Sequence, residues 1–202
     1  SDFTEVTPSE GLPANPKTEV RILRTKTHLY FGFTCSDPDP GSLVLQQMKR
    51  DAYLRVEDRV EIILDTFHDG KNAYFFQVSA AGSRGDALVG ANGKAFNKQW
   101  DAFWEAKVKI YDTYWSAEIV IPFQSLSCGD SGTWGLNLER YKGSTRSEWR
   151  WAKPLRRFNL MAPSQAGDLT GMENIDQGLS KTPPKITNLV EVSSRTMYLH
   201  FL

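Results

Sequence analysis

From Asp58 to Gly82 apolar and polar residues alternate almost step by step. Val60, Ile62 and Leu64 fall on one side, while Arg59, Glu61 and Asp65 fall on the other, the period-2 pattern of a strand with one buried face. His68, Asp69, Gly70 and Lys71 supply turn chemistry, and Tyr74, Phe76 and Val78 return with the same alternation, which predicts a hairpin at the centre of an antiparallel sheet. The period recurs along the chain. Val20 and Ile22 point one way in residues 19–24, as do Leu29, Phe31, Phe33 and Cys35 in 28–35. Further strands are expected at 103–110, with Trp104, Ala106, Val108 and Ile110 inward, and at 115–122, with Trp115, Ala117, Ile119 and Ile121 inward. Two more are expected at 134–141 and 148–151.

Pro38 and Pro40 end the second strand, since proline cannot join a ladder, and Pro122 ends another ahead of one helical turn at 123–126. Residues 43–51 read as a short helical link and 87–99 as an exposed loop. The chain divides into an irregular lead-in (1–17), a domain (18–176) and a linker with a strand-like tail (177–202), the linker marked by Pro183 and Pro184. Short strands between turn signals, without an amphipathic helix of a dozen residues, predict an all-β antiparallel sandwich, jelly-roll or immunoglobulin-like, with minor short helices.

Composition narrows the function classes. Lys plus Arg and Asp plus Glu both number 24, so no net field draws nucleic acid or an anionic membrane. No apolar run approaches the ~20 residues of a membrane helix, so this segment is not expected to insert. No signal-peptide pattern opens the chain, which reads as mature, trimmed or cytosolic. Cys35 and Cys128 lie too far apart for a zinc-ribbon or CxxC pattern and read as two independent thiols rather than one disulfide. His28, His68 and His200 are scattered, and no nucleophile elbow, HExxH or phosphate-cradling glycine loop occurs, so an enzyme is not indicated. Asp37 and Asp39 share a loop, and Asp65 and Asp69 flank the hairpin turn. Asp65 and Asp69 are the candidate ligands of a structural calcium, although Asx residues also do ordinary turn work.

A set of separated motifs occurs in a familiar order. It runs TEVRILR (18–24), HLYFGF (28–33), DPDP (37–40), RVEDRVEIILDTFHDG (55–70), WDAFWEA (100–106), WSAEIVIPFQSL (115–126) and WGLN (134–137). Together they resemble carbohydrate-binding module family 9-like domains of the DOMON-like superfamily, especially the branch in bacterial envelope proteins that precedes an outer-membrane β-barrel region. The resemblance spans roughly residues 18 to 176. It implies a β-sandwich that holds a glycan on a concave sheet face, often beside structural calcium, in a periplasmic, outer-membrane-associated or secreted protein. Its sugar-binding members clamp a terminal sugar between two tryptophans. Glu61 stands at the glutamate of the Asp-x-Val-Glu motif, but the first clamp position is Arg55, with Tyr53 near it; the second falls to Trp149 or Trp151. Some DOMON relatives hold haem, for which Met48 and Met161 have no evident His or Lys partner here. Residues 183–192 resemble the barrel-proximal segment of the envelope branch.

A sugar site needs aromatic faces flanked by carboxylate, amide or guanidinium groups. Trp104, Trp115 and Trp134 are assigned to the core. Trp149, Trp151 and Trp100 are the candidate stacking residues, and Glu61, Arg59, Asn137 and Arg140 the candidate hydrogen-bonding residues. Two readings follow. One is a non-catalytic module binding a glycan or oligosaccharide; the other is an interaction domain docking on a partner chain or on the barrel region of its own parent protein.

Overall fold

A computed structural model describes residues 3–176 and Met197–Tyr198, and it is a sandwich of two antiparallel sheets. The larger sheet runs in the order β1 (Thr4–Thr7), β11 (Ser147–Arg150), β10 (Thr133–Lys142), β4 (Arg59–Asp65), β5 (Ala73–Ser79), β6 (Arg84–Gly90) and β7 (Ala95–Asn97). β12 (Gly167–Thr170) also pairs with β10, and β13 (Met197–Tyr198) lies parallel beside β12. The smaller sheet is β2 (Thr18–Arg24), β3 (His28–Ser36), β9 (Tyr114–Pro122) and β8 (Glu105–Ile110). Among the described residues helix is limited to four single 3₁₀ turns, one of them Phe123–Ser125, where the sequence places it.

Alternation decides what each sheet buries. Leu29, Phe31, Phe33 and Cys35 of β3 and Trp115, Ala117, Ile119 and Ile121 of β9 face Val60, Ile62 and Leu64 of β4 and Trp134, Leu136 and Leu138 of β10. Each Val, Leu, Ile or Phe among them contributes about 1.5–3 kcal/mol of burial. Aromatic rings meet edge to face across this core, Phe76 with Trp104 at 5.2 Å and Phe123 with Trp134 at 5.9 Å. Trp104 anchors its indole nitrogen 2.8 Å from buried Asp86, which also accepts the Ala102 amide at 2.9 Å and an Arg50 guanidinium N–H at 3.1 Å.

The larger sheet is covered on its outer face as well. Ile63, Ala73, Phe75, Ala87 and Val89 form a second apolar patch beneath Leu160, with Met161 packed against it. The 151–166 segment therefore lies across this sheet, and residues 60–65 of β4 are buried on both faces.

Several local expectations change. The lead-in is not wholly irregular: Thr4–Thr7 is β1, paired with β11. Residues 84–90 and 95–97 are strands rather than one exposed loop, and 43–51 contains no α-helix. The β4–β5 connection spans 66–72, longer than a four-residue turn, because both Asp65 carboxylate oxygens accept main-chain N–H groups, from Asp69 at 3.2 Å and Gly70 at 2.7 Å. Ile110 is exposed and Ala106 and Val108 only half-buried, as befits an edge strand. Cys35 is buried, Cys128 half-buried, and both thiols are free. Beyond Asp176 the proposed linker and tail lie outside the described residues apart from Met197–Tyr198.

Candidate functional site

The site lies on the outer face of the larger sheet, beside the segment that covers it. Strand register carries one polar row straight across: Arg150 pairs with Glu139, Glu139 with Glu61, and Glu61 with Gln77. Neighbouring strands are about 4.8 Å apart, so these side chains rise from the sheet as successive posts of one floor. Arg59 is two residues before Glu61 on the same face. The 156–161 stretch also lines the pocket, as do Glu148 of β11 and Val6 of β1. The open pocket has a volume of about 460 Å³, within the ~300–1,000 Å³ of small-molecule sites.

Ion pairs fix the floor. Arg59 donates through Nε to Glu61 at 2.7 Å and through Nη1 to the carbonyl of Leu54 at 3.1 Å and that of Arg55 at 3.3 Å, while its guanidinium lies 4.2 Å over the Tyr141 ring. This ties the 54–57 loop to the sheet. Arg150 donates to Glu139 through Nε at 3.0 Å and Nη2 at 2.6 Å, and through Nη1 to the carbonyl of Phe158 at 2.9 Å, so it holds the wall as well as the floor. Arg156 donates to the carbonyl oxygens of Val6 and Pro8, and its amide to Glu10.

Two carboxylates directly opposite on adjacent strands repel. Burial first, and the Glu61 charge next, push the Glu139 carboxyl up to about 8, against the pull of Arg150. Burial alone would lower Arg59, but Glu61 more than reverses that and leaves it raised.

Only part of the sequence-derived set meets here. Glu61 and Arg59 line the pocket. Trp149 and Trp151 do not: they are 2% and 6% exposed and belong to the core between the sheets. Trp149 pairs with Arg140, and Arg140 follows the inward parity of Leu136 and Leu138, so the charged residues beside the indole, Glu148 and Arg150, are the ones that face out. Trp151 packs against Gly167, where a Cβ would come within 2.7 Å of the indole ring. Arg140 is also interior. Its Nη1 lies 3.4 Å from the carbonyl of Lys17 and 3.3 Å from the Thr18 hydroxyl, its Nη2 lies 3.6 Å from Asp37, and its Cζ sits 5.4 Å over the Trp149 ring. Trp100 is half-buried against Tyr74 and Phe76, on the core side rather than over the outer floor. Asn137 faces outward but is engaged with its own chain: its Oδ1 accepts the Ala152 amide at 3.0 Å and its Nδ2 donates to the Ala152 carbonyl at 3.2 Å.

Phe158 is the aromatic residue of the pocket wall, and the sequence reading passed over it together with Arg157; Glu139 shares the outward parity of Glu61 and Arg59, and Glu148 and Arg150 stood out only as charged neighbours of Trp149 and Trp151. Outward parity of Glu148 and Arg150 was available in the alternation of 147–151. Phe158 lies in an irregular stretch without periodicity, its one signal being an aromatic next to Arg156 and Arg157.

Asp65 and Asp69 both serve the turn through hydrogen bonds. Asp65 is committed to the two turn amides, and Asp69 accepts the Lys71 and Asn72 amides at 2.7 and 2.8 Å and the Asn72 side-chain amide at 2.8 Å. Calcium takes six to eight oxygens. Among the described residues no group of three or more His, Cys, Asp or Glu side chains gathers as metal ligands, and no helix is long and apolar enough to cross a membrane.

The fold is that of carbohydrate-binding modules of family 9. A family 9 module from Caldicellulosiruptor kristjanssonii in complex with glucose superposes with a TM-score of 0.59 at 14% identity, over 91% of this chain and 88% of that one. The cellotriose complex from the same organism gives 0.60 at 14% identity, covering 91% and 87%. A candidate carbohydrate-binding protein from Bacteroides uniformis gives 0.66 at 16% identity, covering 84% and 85%. No protein-family model matches the sequence, and no curated protein matches it.

Proposed function

We propose that this domain is a non-catalytic carbohydrate-binding module and that the glycan occupies the pocket on the outer face of the larger sheet. The observation that carries the reading is the floor itself. Arg59 and Arg150 set guanidinium donors beside the carboxyl groups of Glu61 and Glu139 on one floor, and vicinal sugar hydroxyls, each both donor and acceptor, match that set. Phe158 adds the apolar ring that a pyranose C–H face requires. The glucose and cellotriose complexes of the family 9 module support the same class of ligand.

Turnover is not part of this reading. Glu61 and Glu139 are opposed closely enough to suggest a glycosidase pair, but each is gripped by a guanidinium that holds it as an acceptor. Affinity should be modest, because a small wet site offers few contacts to offset the cost of association. Residence in an envelope or secreted protein is part of the proposal and rests on the sequence resemblance.

Calorimetric titration with glucose, cellotriose and a panel of other soluble oligosaccharides tests the proposal. Saturable binding that weakens at least tenfold in Phe158→Ala is the expected result. Absence of binding across the panel, or binding indifferent to Phe158, would overturn it.

A further inference from the structure

The pocket lining carries four arginines against three glutamates. The whole chain has 24 basic and 24 acidic residues, so the excess is local. Hydrogen bonding does not cancel it. Arg59 is neutralised by Glu61, 2.7 Å away. Arg150 donates to Glu139, but burial and the Glu61 charge raise that carboxyl to about 8, so at neutral pH the partner is an uncharged acid and the guanidinium charge remains. Arg156 is held by the carbonyl oxygens of Val6 and Pro8, dipoles without net charge, while exposed Glu10 outside the lining accepts its amide. Arg157 has no ion pair among the described residues, and its guanidinium lies 4.8 Å over the Phe158 ring. Against these three cations the lining sets one further carboxylate, half-buried Glu148 of β11. The three also share one stretch of chain: Arg156 and Arg157 precede Phe158, and Arg150 donates Nη1 to the Phe158 carbonyl at 2.9 Å.

We propose that the pocket prefers an acidic sugar, a pyranose of the uronic-acid class, whose carboxylate is received by the arginines around Phe158. This rests on the carbohydrate-binding reading above and names the class of sugar. The residue that offers a pyranose its apolar ring is flanked by three guanidinium-bearing side chains lining the same pocket. A guanidinium presents a planar pair of N–H donors that matches a carboxylate. Arg157 is best placed to do so, because its stacking on Phe158 leaves its N–H groups without an acceptor among the described residues. A neutral sugar still finds hydroxyl partners on the floor but leaves the excess charge unanswered, and an amino sugar adds to it. A pocket recessed in the protein screens such a field less than open surface does, so the excess reaches the guest.

The test is calorimetric titration of the full chain at pH 7 and low salt with glucose, cellotriose and glucuronate, which differs from glucose only in its C6 carboxylate. Acetate serves as the carboxylate without a sugar. Glucuronate is expected to bind at least tenfold more tightly than glucose, and raised salt should narrow the gap. Arg157→Gln should weaken glucuronate binding about tenfold and glucose binding less, with a thermal midpoint near wild type because no hydrogen bond is lost. Glu148→Gln removes the opposing charge and should tighten glucuronate binding. Equal affinity for glucuronate and glucose, a preference that neither substitution moves, or acetate bound as tightly as glucuronate would overturn this inference; the carbohydrate-binding reading then stands as long as glucose or cellotriose binds. No binding of glucose, cellotriose or glucuronate would overturn both.

Discussion

Glu139 offers the sharpest physical test of the pocket floor. Its carboxyl is 4% exposed, faces Glu61 across the β4–β10 ladder, and is pushed from an ordinary 4.5 up to about 8. Between those values the folded chain keeps a proton that the unfolded chain has released. The stabilising contribution is therefore fully present below pH 4.5 and is lost as pH rises toward 8, at about 1.4 kcal/mol per pH unit and roughly 5 kcal/mol at most. Glu139→Gln imitates the protonated acid and keeps an acceptor for Arg150. Urea unfolding at intervals from pH 5 to 9 should show the wild-type advantage over the variant shrinking with pH, until the variant equals or exceeds it near pH 9. Asp58, raised by burial, adds a loss of the same sign, and His28, lowered by burial, adds a gain as pH passes 6.5. Both are common to the two proteins, so the difference curve isolates Glu139. Parallel stability curves across that range would refute the reasoning.

Three further outcomes follow from single contacts. Gly93 has a φ of +86°, and a Cβ there would stand 2.5 Å from the Met161 carbonyl oxygen, so Gly93→Ala should cost about 1–3 kcal/mol in urea unfolding and weaken glycan binding by shifting the 156–161 wall. Asp86→Ala strands the buried Trp104 indole N–H and the Ala102 amide and removes the buried one of Arg50's three carboxylate partners; a loss of about 3–5 kcal/mol is expected by the same measurement. Burial raises the Cys35 thiol to about 12 and also raises half-buried Cys128, so a thiol reagent should label Cys128 alone, and slowly, in the native protein, with Cys35 reacting only in denaturant.

Alternation made much of the fold legible. The β4–β5 hairpin, the inward tryptophans of residues 104, 115 and 134 and the two-sheet arrangement all follow from which residues share a face. The same rule was available at 147–151, where Trp149 and Trp151 were the candidate stacking residues. In strands a charged neighbour marks the opposite face, so Glu148 and Arg150 line the pocket and the indoles pack inside. Arg140 shows the rule prevailing over charge: parity with Leu138 sends it inward, where Asp37 and the Thr18 hydroxyl receive it. Phe158 and Arg157 were beyond this kind of reading. They sit in the irregular 151–166 segment, whose place over the sheet is set by Leu160 and Met161 covering an apolar patch assembled from β4, β5 and β6. Such a patch exists only once distant strands have paired.

The central claim is that a sugar sits on the outer face of the larger sheet, between the Arg59–Glu61–Glu139–Arg150 floor and Phe158. Backbone amide shifts recorded by NMR during titration with cellotriose address it most directly. Saturable shifts concentrated at residues 59–61, 139, 148–150 and 156–161 are expected, with β8 and β9 of the other sheet unmoved. Shifts confined to that other sheet, or none at millimolar sugar, would contradict it.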